Sequence, residues 1–192
     1  LEIIFPFVRE NYSKIDLQII LKESYANFRH EKRAPVKQLE NNKYILELIY
    51  GPTYAFKDYA LQFLGKLFSN SLSKNPKKIT VLGATSGDTG SAAIHAFKTN
   101  KHINVFILHP HQKISSIQQK QMTTISESNI FNLAIDGNFD DCQKIVKELF
   151  VDDDIQNKTS LTAINSINWA RLIAQVVYYF WSHLQIKNKD IS

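Results

Sequence analysis

Short apolar strands alternate with amphipathic helices along most of this chain, and no tight hairpin turn separates one from the next. Neighbouring strands joined by helices have to run parallel, because a parallel pair needs a long crossover where an antiparallel pair needs only a turn. The clearest run begins with a buried-type strand at Ile79 to Ala84, passes a Gly-containing loop from Thr85 to Gly90, and enters a helix at Ser91 to Lys98. Strands follow at Asn104 to His109, Asn129 to Ile135 and Leu161 to Ile164, with helices at Ser115 to Thr124, Asp140 to Phe150 and Asn168 to Leu184. This pattern predicts an α/β fold of three layers, αβα, around a mostly parallel sheet.

Upstream, Leu17, Ile20, Leu21, Tyr25 and Phe28 recur at helical spacing between Ile15 and Phe28, until the charged stretch His30 to Arg33 and Pro35 end the pattern. Tyr44 to Tyr50 reads as a strand, Gly51-Pro52-Thr53 as a turn, and Ala55 to Asn70 as an amphipathic helix. The predicted division is a small helical region at 1–43 followed by the α/β domain at 44–192.

With 44% hydrophobic and 21% charged residues, 192 residues can bury a sizeable core. The net charge of +5 comes from scattered Lys and Arg with no stacking aromatics beside a basic run, which points to solvated surface and to no nucleic-acid partner. The single cysteine, Cys142, excludes an internal disulfide and a multi-cysteine metal cluster, and the six histidines show no ligand-like pairing, so no metal is expected. No signal peptide and no membrane-length apolar run is present, so the expectation is a cytoplasmic protein without a membrane partner. The chain begins at Leu1 and its one methionine is Met122, so the natural start is expected upstream.

Four segments carry candidate chemistry. Lys57 follows a Pro-Thr pair at a predicted helix start, where the positive end of the helix dipole disfavours an ammonium and so favours the neutral, nucleophilic amine; an ordinary exposed lysine fits the same position. The loop Thr85-Ser86-Gly87-Asp88-Thr89-Gly90 places two glycines and several hydroxyls before a helix, which suits a carboxylate or phosphate and suits a plain helix cap equally. Asn165, Ser166 and Arg171 gather an amide, a hydroxyl and a guanidinium about the last helix start; they read as phosphate donors, or as a cap at Asn168 with Arg171 in an ion pair. In Gly137-Asn138-Phe139-Asp140-Asp141, two carboxylates after one glycine read as a cap and not as an anion cradle, and Cys142 behind them reads as a packed side chain. His109 and His111 flank Pro110 just after a strand without further signal.

Five blocks in matching order resemble the threonine synthase family: GPTYAFKD at Gly51 to Asp58, VLGATSGDTGSAA from Val81, KISSIQQKQMTT from Lys113, IDGNFDDCQKIVKELF from Ile135 and AINSINWARLIAQVVYYF from Ala163. The resemblance covers at least Leu48 to Phe180, and Ile15 to Leu39 is similar to that family's amino-terminal helical region. It implies a fold like that of the tryptophan synthase β chain, the fold-type II scaffold of pyridoxal-phosphate enzymes. The implied reaction converts O-phosphohomoserine and water into L-threonine and phosphate, with Lys57 carrying pyridoxal 5'-phosphate as a Schiff base and moving protons. Thr85, Ser86, Gly87, Asp88 and Thr89 match the substrate-carboxylate loop, and Asn165, Ser166 and Arg171 match positions that contact the substrate phosphate. The implied partner is that small substrate alone, for a monomer or homodimer.

The family's loop for the cofactor phosphate and its residue at the pyridine nitrogen are expected beyond Ser192. The chain therefore looks like an amino-terminal and central piece that alone binds the cofactor poorly, and part of the apolar final helix is expected to pack on later residues. A phospho-lyase relative, or a non-catalytic anion-binding piece, stays open as an alternative.

Overall fold

A computed structural model describes residues 1–164 and 168–189. The chain divides into two compact units, residues 1–67 with 169–192 and residues 68–168.

The first unit begins with helices α1 (Phe5–Val8) and α2 (Lys14–Ser24) and strands β1 (Val36–Glu40) and β2 (Lys43–Leu46). Ser13 and Asp16 close α2 reciprocally: the Ser13 hydroxyl accepts the Asp16 amide and the Asp16 carboxylate accepts the Ser13 amide. The helix ends at Ser24, four residues short of the predicted Phe28. The predicted strand Tyr44 to Tyr50 shortens to β2, and it pairs antiparallel with β1 and not in the parallel sheet. That hairpin contradicts the expectation of none: Asn42, at φ 61°, supplies the left-handed residue that its turn requires.

Helix α3 (Asp58–Lys74) starts three residues later than predicted and runs past Leu67 into the second unit's sequence. An aromatic cluster holds the first unit together. Phe28, Tyr59 and Tyr178 are buried, with the Phe28 and Tyr59 rings edge to face at 4.8 Å and the Tyr59 and Tyr178 rings at 5.8 Å.

The second unit contains β3 (Ile79–Ala84), α4 (Asp88–Phe97), β4 (Ile103–Pro110), α5 (Ser116–Thr123), β5 (Ile130–Ile135), α6 (Phe139–Val151), α7 (Asp153–Lys158) and β6 (Leu161–Ala163). Each predicted strand of this stretch is present within a residue or two. Its four strands are all parallel, in the order β5-β4-β3-β6. Successive strands step outward from β3 to β5, and then the chain returns to the opposite side of β3. A right-handed crossover places its helix on one face when the strand advances and on the other when it reverses. The packing agrees. Met122 of α5 meets Ile107 and Gly90 on one face, while Cys142, Ile145, Val146 and Leu149 of α6 meet Leu82 and Leu108 on the other. Val81, Val105 and Ile107 are at most 1% exposed, and each such side chain stabilises the unit by roughly 1.5–3 kcal/mol.

The predicted helix Asn168 to Leu184 is two, α8 (Trp169–Gln175) and α9 (Val177–Lys187), joined at Val176, which keeps helical angles of −58° and −22°. They belong with the first unit: the Gln185 side-chain amide and the Trp181 indole N–H both donate to the Ala34 carbonyl, at 2.8 and 2.9 Å. Among the described residues no helix is long and apolar enough to cross a membrane.

Candidate active site

Lys57 sits one residue before α3, at the end of a turn with a tight internal lock. Instead of a side chain ahead of the helix capping it, the first helical residue reaches back. The Thr53 amide donates to Asp58 Oδ2 at 2.7 Å and the Thr53 hydroxyl to Oδ1 at 2.8 Å. Because Asp58 is drawn toward Thr53, residues 54–57 bulge as a turn, and this is why the helix begins after Lys57 and not at Ala55. Asp58 is fully buried. Burial pushes its carboxyl above the ordinary range, against the lowering pull of Thr53, the Ala55 backbone and the Arg29 charge.

Gly51 belongs to the same lock, since a Cβ there would stand 2.4 Å from Asp58 Oδ2. Tyr54 adopts a left-handed φ of 60°, at a cost of about 1–2 kcal/mol. Its ring is covered by the Arg29 guanidinium, 3.6 Å from the centroid, and that guanidinium also donates to the Ile49 and Gly51 carbonyls. Lys57 itself is half-buried, with Nζ 4.2 Å from the Phe56 ring centroid.

In the second unit the segment from Thr85 to Gly90, a short loop and the first turn of α4, lies at the carboxyl end of β3, between the neighbours β4 and β6. Here the strand order reverses, the crevice in which parallel sheets bind ligands. Thr85 is buried and its amide donates to the Leu108 carbonyl at 2.9 Å. Its hydroxyl oxygen accepts the Gly87 and Gly90 amides, both at 3.0 Å. Thr85 therefore caps α4 from two residues ahead, because the N-cap, Gly87, has no side chain to do so. Gly87 turns the loop at φ 156° and ψ −94°, angles open only to glycine. Ser86 is exposed, and Asp88 and Thr89 are half-buried. Thr85, Ser86 and Gly87 form the loop, whereas Asp88 and Thr89 lie in the first turn of α4, which begins three residues before the predicted Ser91 because the Thr85 hydroxyl caps it at Gly87.

Arg171 lies in α8 of the first unit and is only 4% exposed. Burial pushes the neighbouring Tyr178 hydroxyl up to about 12, while the Arg171 charge pulls it the other way. Asn165 and Ser166 lie outside the described residues. The Gly137 segment is a helix cap as predicted: the Asn138 side chain accepts the Asp140 and Asp141 amides and the Asp141 carboxylate accepts the Asn138 amide. Cys142 is fully buried, and burial raises its thiol. Among the described residues no group of three or more metal-ligating side chains occurs.

Two contacts escaped the reading of the sequence. The Asp58 to Thr53 lock joins residues only five apart, and a carboxylate reaching back across a turn has no periodic signature. Gln118 of α5 covers Gly87, a contact that depends on how α5 packs against the loop.

No family profile matches the chain. It is 50% identical over 181 residues to the threonine synthase of Pseudomonas aeruginosa, covering 94% of this chain and 39% of that protein. Its structure resembles the crystal structure of the pyridoxal-phosphate-bound threonine synthase of Brucella melitensis with a TM-score of 0.88 and 43% identity, covering 97% of this chain and 40% of that one. The yeast threonine synthase structure superimposes with a TM-score of 0.85 and 46% identity, over 94% of this chain and 37% of that one. The chain thus spans about two fifths of the length of these relatives.

Proposed function

Because the chain belongs to the threonine synthase family over more than nine tenths of its length, we propose that its polypeptide converts O-phosphohomoserine and water into L-threonine and inorganic phosphate with pyridoxal 5'-phosphate. The observation that carries this reading is the seat of Lys57: a primary amine, half-buried beside an aromatic ring, on a turn fixed by the buried Asp58 to Thr53 lock. That donor set fits an aldehyde-bearing cofactor, since an amine that bonds a carbonyl carbon needs a defined position more than it needs charge. When bound, the cofactor supplies the electron sink for charge developing on the substrate carbons.

Everything else is the work of the chain's own side chains and backbone. Lys57 tethers the cofactor and then carries protons at the substrate carbons. Loop 85–89 receives the substrate α-carboxylate: Thr85 holds the loop from within, since its hydroxyl already takes the Gly87 and Gly90 amides, and Ser86, Asp88 and Thr89 form the outer surface. Asp88 is the residue least suited to an anion, so its backbone and not its carboxylate is the part facing the ligand. Arg171, with Asn165 and Ser166, takes the substrate phosphate; a guanidinium offers the planar fork that a phosphate needs. By the same reading residues 1–43 are a lead-in to a catalytic domain at 44–192, and the enzyme works in the cytoplasm as a monomer or homodimer.

The test is reductive trapping in the full-length protein. Borohydride treatment followed by peptide mass spectrometry should place the cofactor on Lys57, and product analysis should give threonine with equimolar phosphate. Trapping on another lysine, or release of a keto acid in place of threonine, would overturn the reading.

A further inference from the structure

Two side chains of α5 fill the space that two glycines leave at the loop of the second unit. A Cβ on Gly87 would lie 2.3 Å from Gln118 Cδ, 2.3 Å from its Oε1 and 2.5 Å from its Nε2, and a Cβ on Gly90 would lie 2.6 Å from Met122 Sδ. Gln118 and Met122 are one helical turn apart on the same face of α5, so the helix lies along the loop with one side chain against each glycine. Met122 is fully buried and Gln118 half-buried.

Packing alone asks only for an apolar side chain, as Met122 supplies; at the outer position the sequence places an amide. The three nearly equal distances set that amide against the position a Gly87 Cβ would take. Its orientation is fixed from the other side: the Ser115 hydroxyl donates to Gln118 Oε1 at 3.0 Å and accepts the Gln118 backbone N–H at 3.3 Å. With its carbonyl oxygen held by Ser115, the carboxamide stands as a whole against Gly87, whose lack of a side chain leaves it that space.

We infer that Gln118, oriented by Ser115, is a positioning residue that holds the Ser86–Asp88 backbone in the shape that receives the substrate carboxylate. The inference rests on the proposed role of this loop. It predicts selectivity: losing the amide weakens recognition of the carboxylate and leaves recognition of the rest of the substrate intact.

The experiment uses the full-length, cofactor-loaded enzyme and two probes, O-phosphohomoserine as substrate and 3-aminopropyl phosphate, which lacks only the carboxylate, as competitive inhibitor. Q118M keeps the volume and the packing. It should raise KM for O-phosphohomoserine by ~10-fold, change kcat by less than about threefold and leave the inhibition constant of 3-aminopropyl phosphate unchanged. S115A, at an exposed position, should show the same selective pattern at ~3-fold and serves if Q118M fails to fold. A KM within twofold of wild type, or an equal rise for both probes, overturns the inference. A wild-type enzyme that releases no phosphate overturns the functional reading itself, and this inference with it.

Discussion

The Lys57 turn and the Thr85 loop each bring candidate groups to the start of a helix, and each is locked by one side chain that takes two donors, but the locks are built in opposite senses. At Lys57 the lock is a buried carboxylate reaching back from the helix to Thr53. At the loop it is a neutral hydroxyl reaching forward from Thr85 to Gly87 and Gly90. A charged lock answers to pH and a neutral one does not. The backward lock also pushes the residue before it out of the helix, whereas the forward lock lets the helix begin directly after the glycine.

The largest expected effect breaks the comparison at its functional end. If the turn exists to seat Lys57, then Lys57→Ala in the full-length protein lowers phosphate release by more than about 1,000-fold while the urea midpoint stays near that of wild type. Substantial residual turnover would mean that the turn seats a different residue's chemistry. Next in size, Arg171→Lys keeps the charge but loses the fork. The value of kcat/KM for O-phosphohomoserine should fall ~10- to 1,000-fold, and unchanged kinetics would assign Arg171 to packing around Tyr178.

Two stability measurements sharpen the contrast between the locks. Thr85→Val leaves two buried amides without their acceptor, so urea unfolding should show a loss of about 2–4 kcal/mol, whereas Thr85→Ser keeps the hydroxyl and should lose about 1 kcal/mol or less. The Thr85→Val loss should be flat between pH 4 and 8, because nothing in that lock titrates there.

Asp58→Asn should cost about 1–3 kcal/mol at neutral pH and should depend on pH. Burial holds the folded Asp58 carboxyl above its ordinary 3.8, so the folded protein binds this proton more tightly than the unfolded chain does. Asp58 therefore weighs against folding above its folded pKa, and that burden lifts as pH falls through the window down to 3.8. Asn has no such term, so the measured difference between wild type and Asp58→Asn should grow from pH 7 to pH 4. A difference that shrinks on acidification would mean that hydrogen bonding, not burial, governs this carboxylate.

How much of this was legible in the sequence follows from what each element buries. Strands β3 and β4 are covered on both faces and spell continuous apolar runs, so they were placed within a residue or so, and the parallel sheet followed from the helices between them. Strand β1 is exposed over four of its five residues, and Lys37, Gln38 and Glu40 carry no apolar alternation, so its pattern did not mark a strand. The start of α3 was misjudged because propensity favours a helix from Ala55, and the Asp58 lock overrides it. At the candidate site the contiguous loop was readable as a block, while Gln118 was not, since its meaning depends on the packing of α5 over Gly87 and Gly90. Asn165 and Ser166 rest on sequence resemblance alone, as they lie outside the described residues.

The burial of Cys142 has an experimental use. It is the one thiol in these 192 residues, lies on the face of α6 that packs against Leu82 and Leu108, and has its ionisation suppressed by burial. A maleimide or disulfide reagent can reach it only when α6 lifts from the sheet, so its labelling rate is a clock for the opening of the second unit. Run on the full-length protein with and without O-phosphohomoserine, and read at Cys142 by peptide mass spectrometry, that clock tests whether the compound slows the breathing of the sheet.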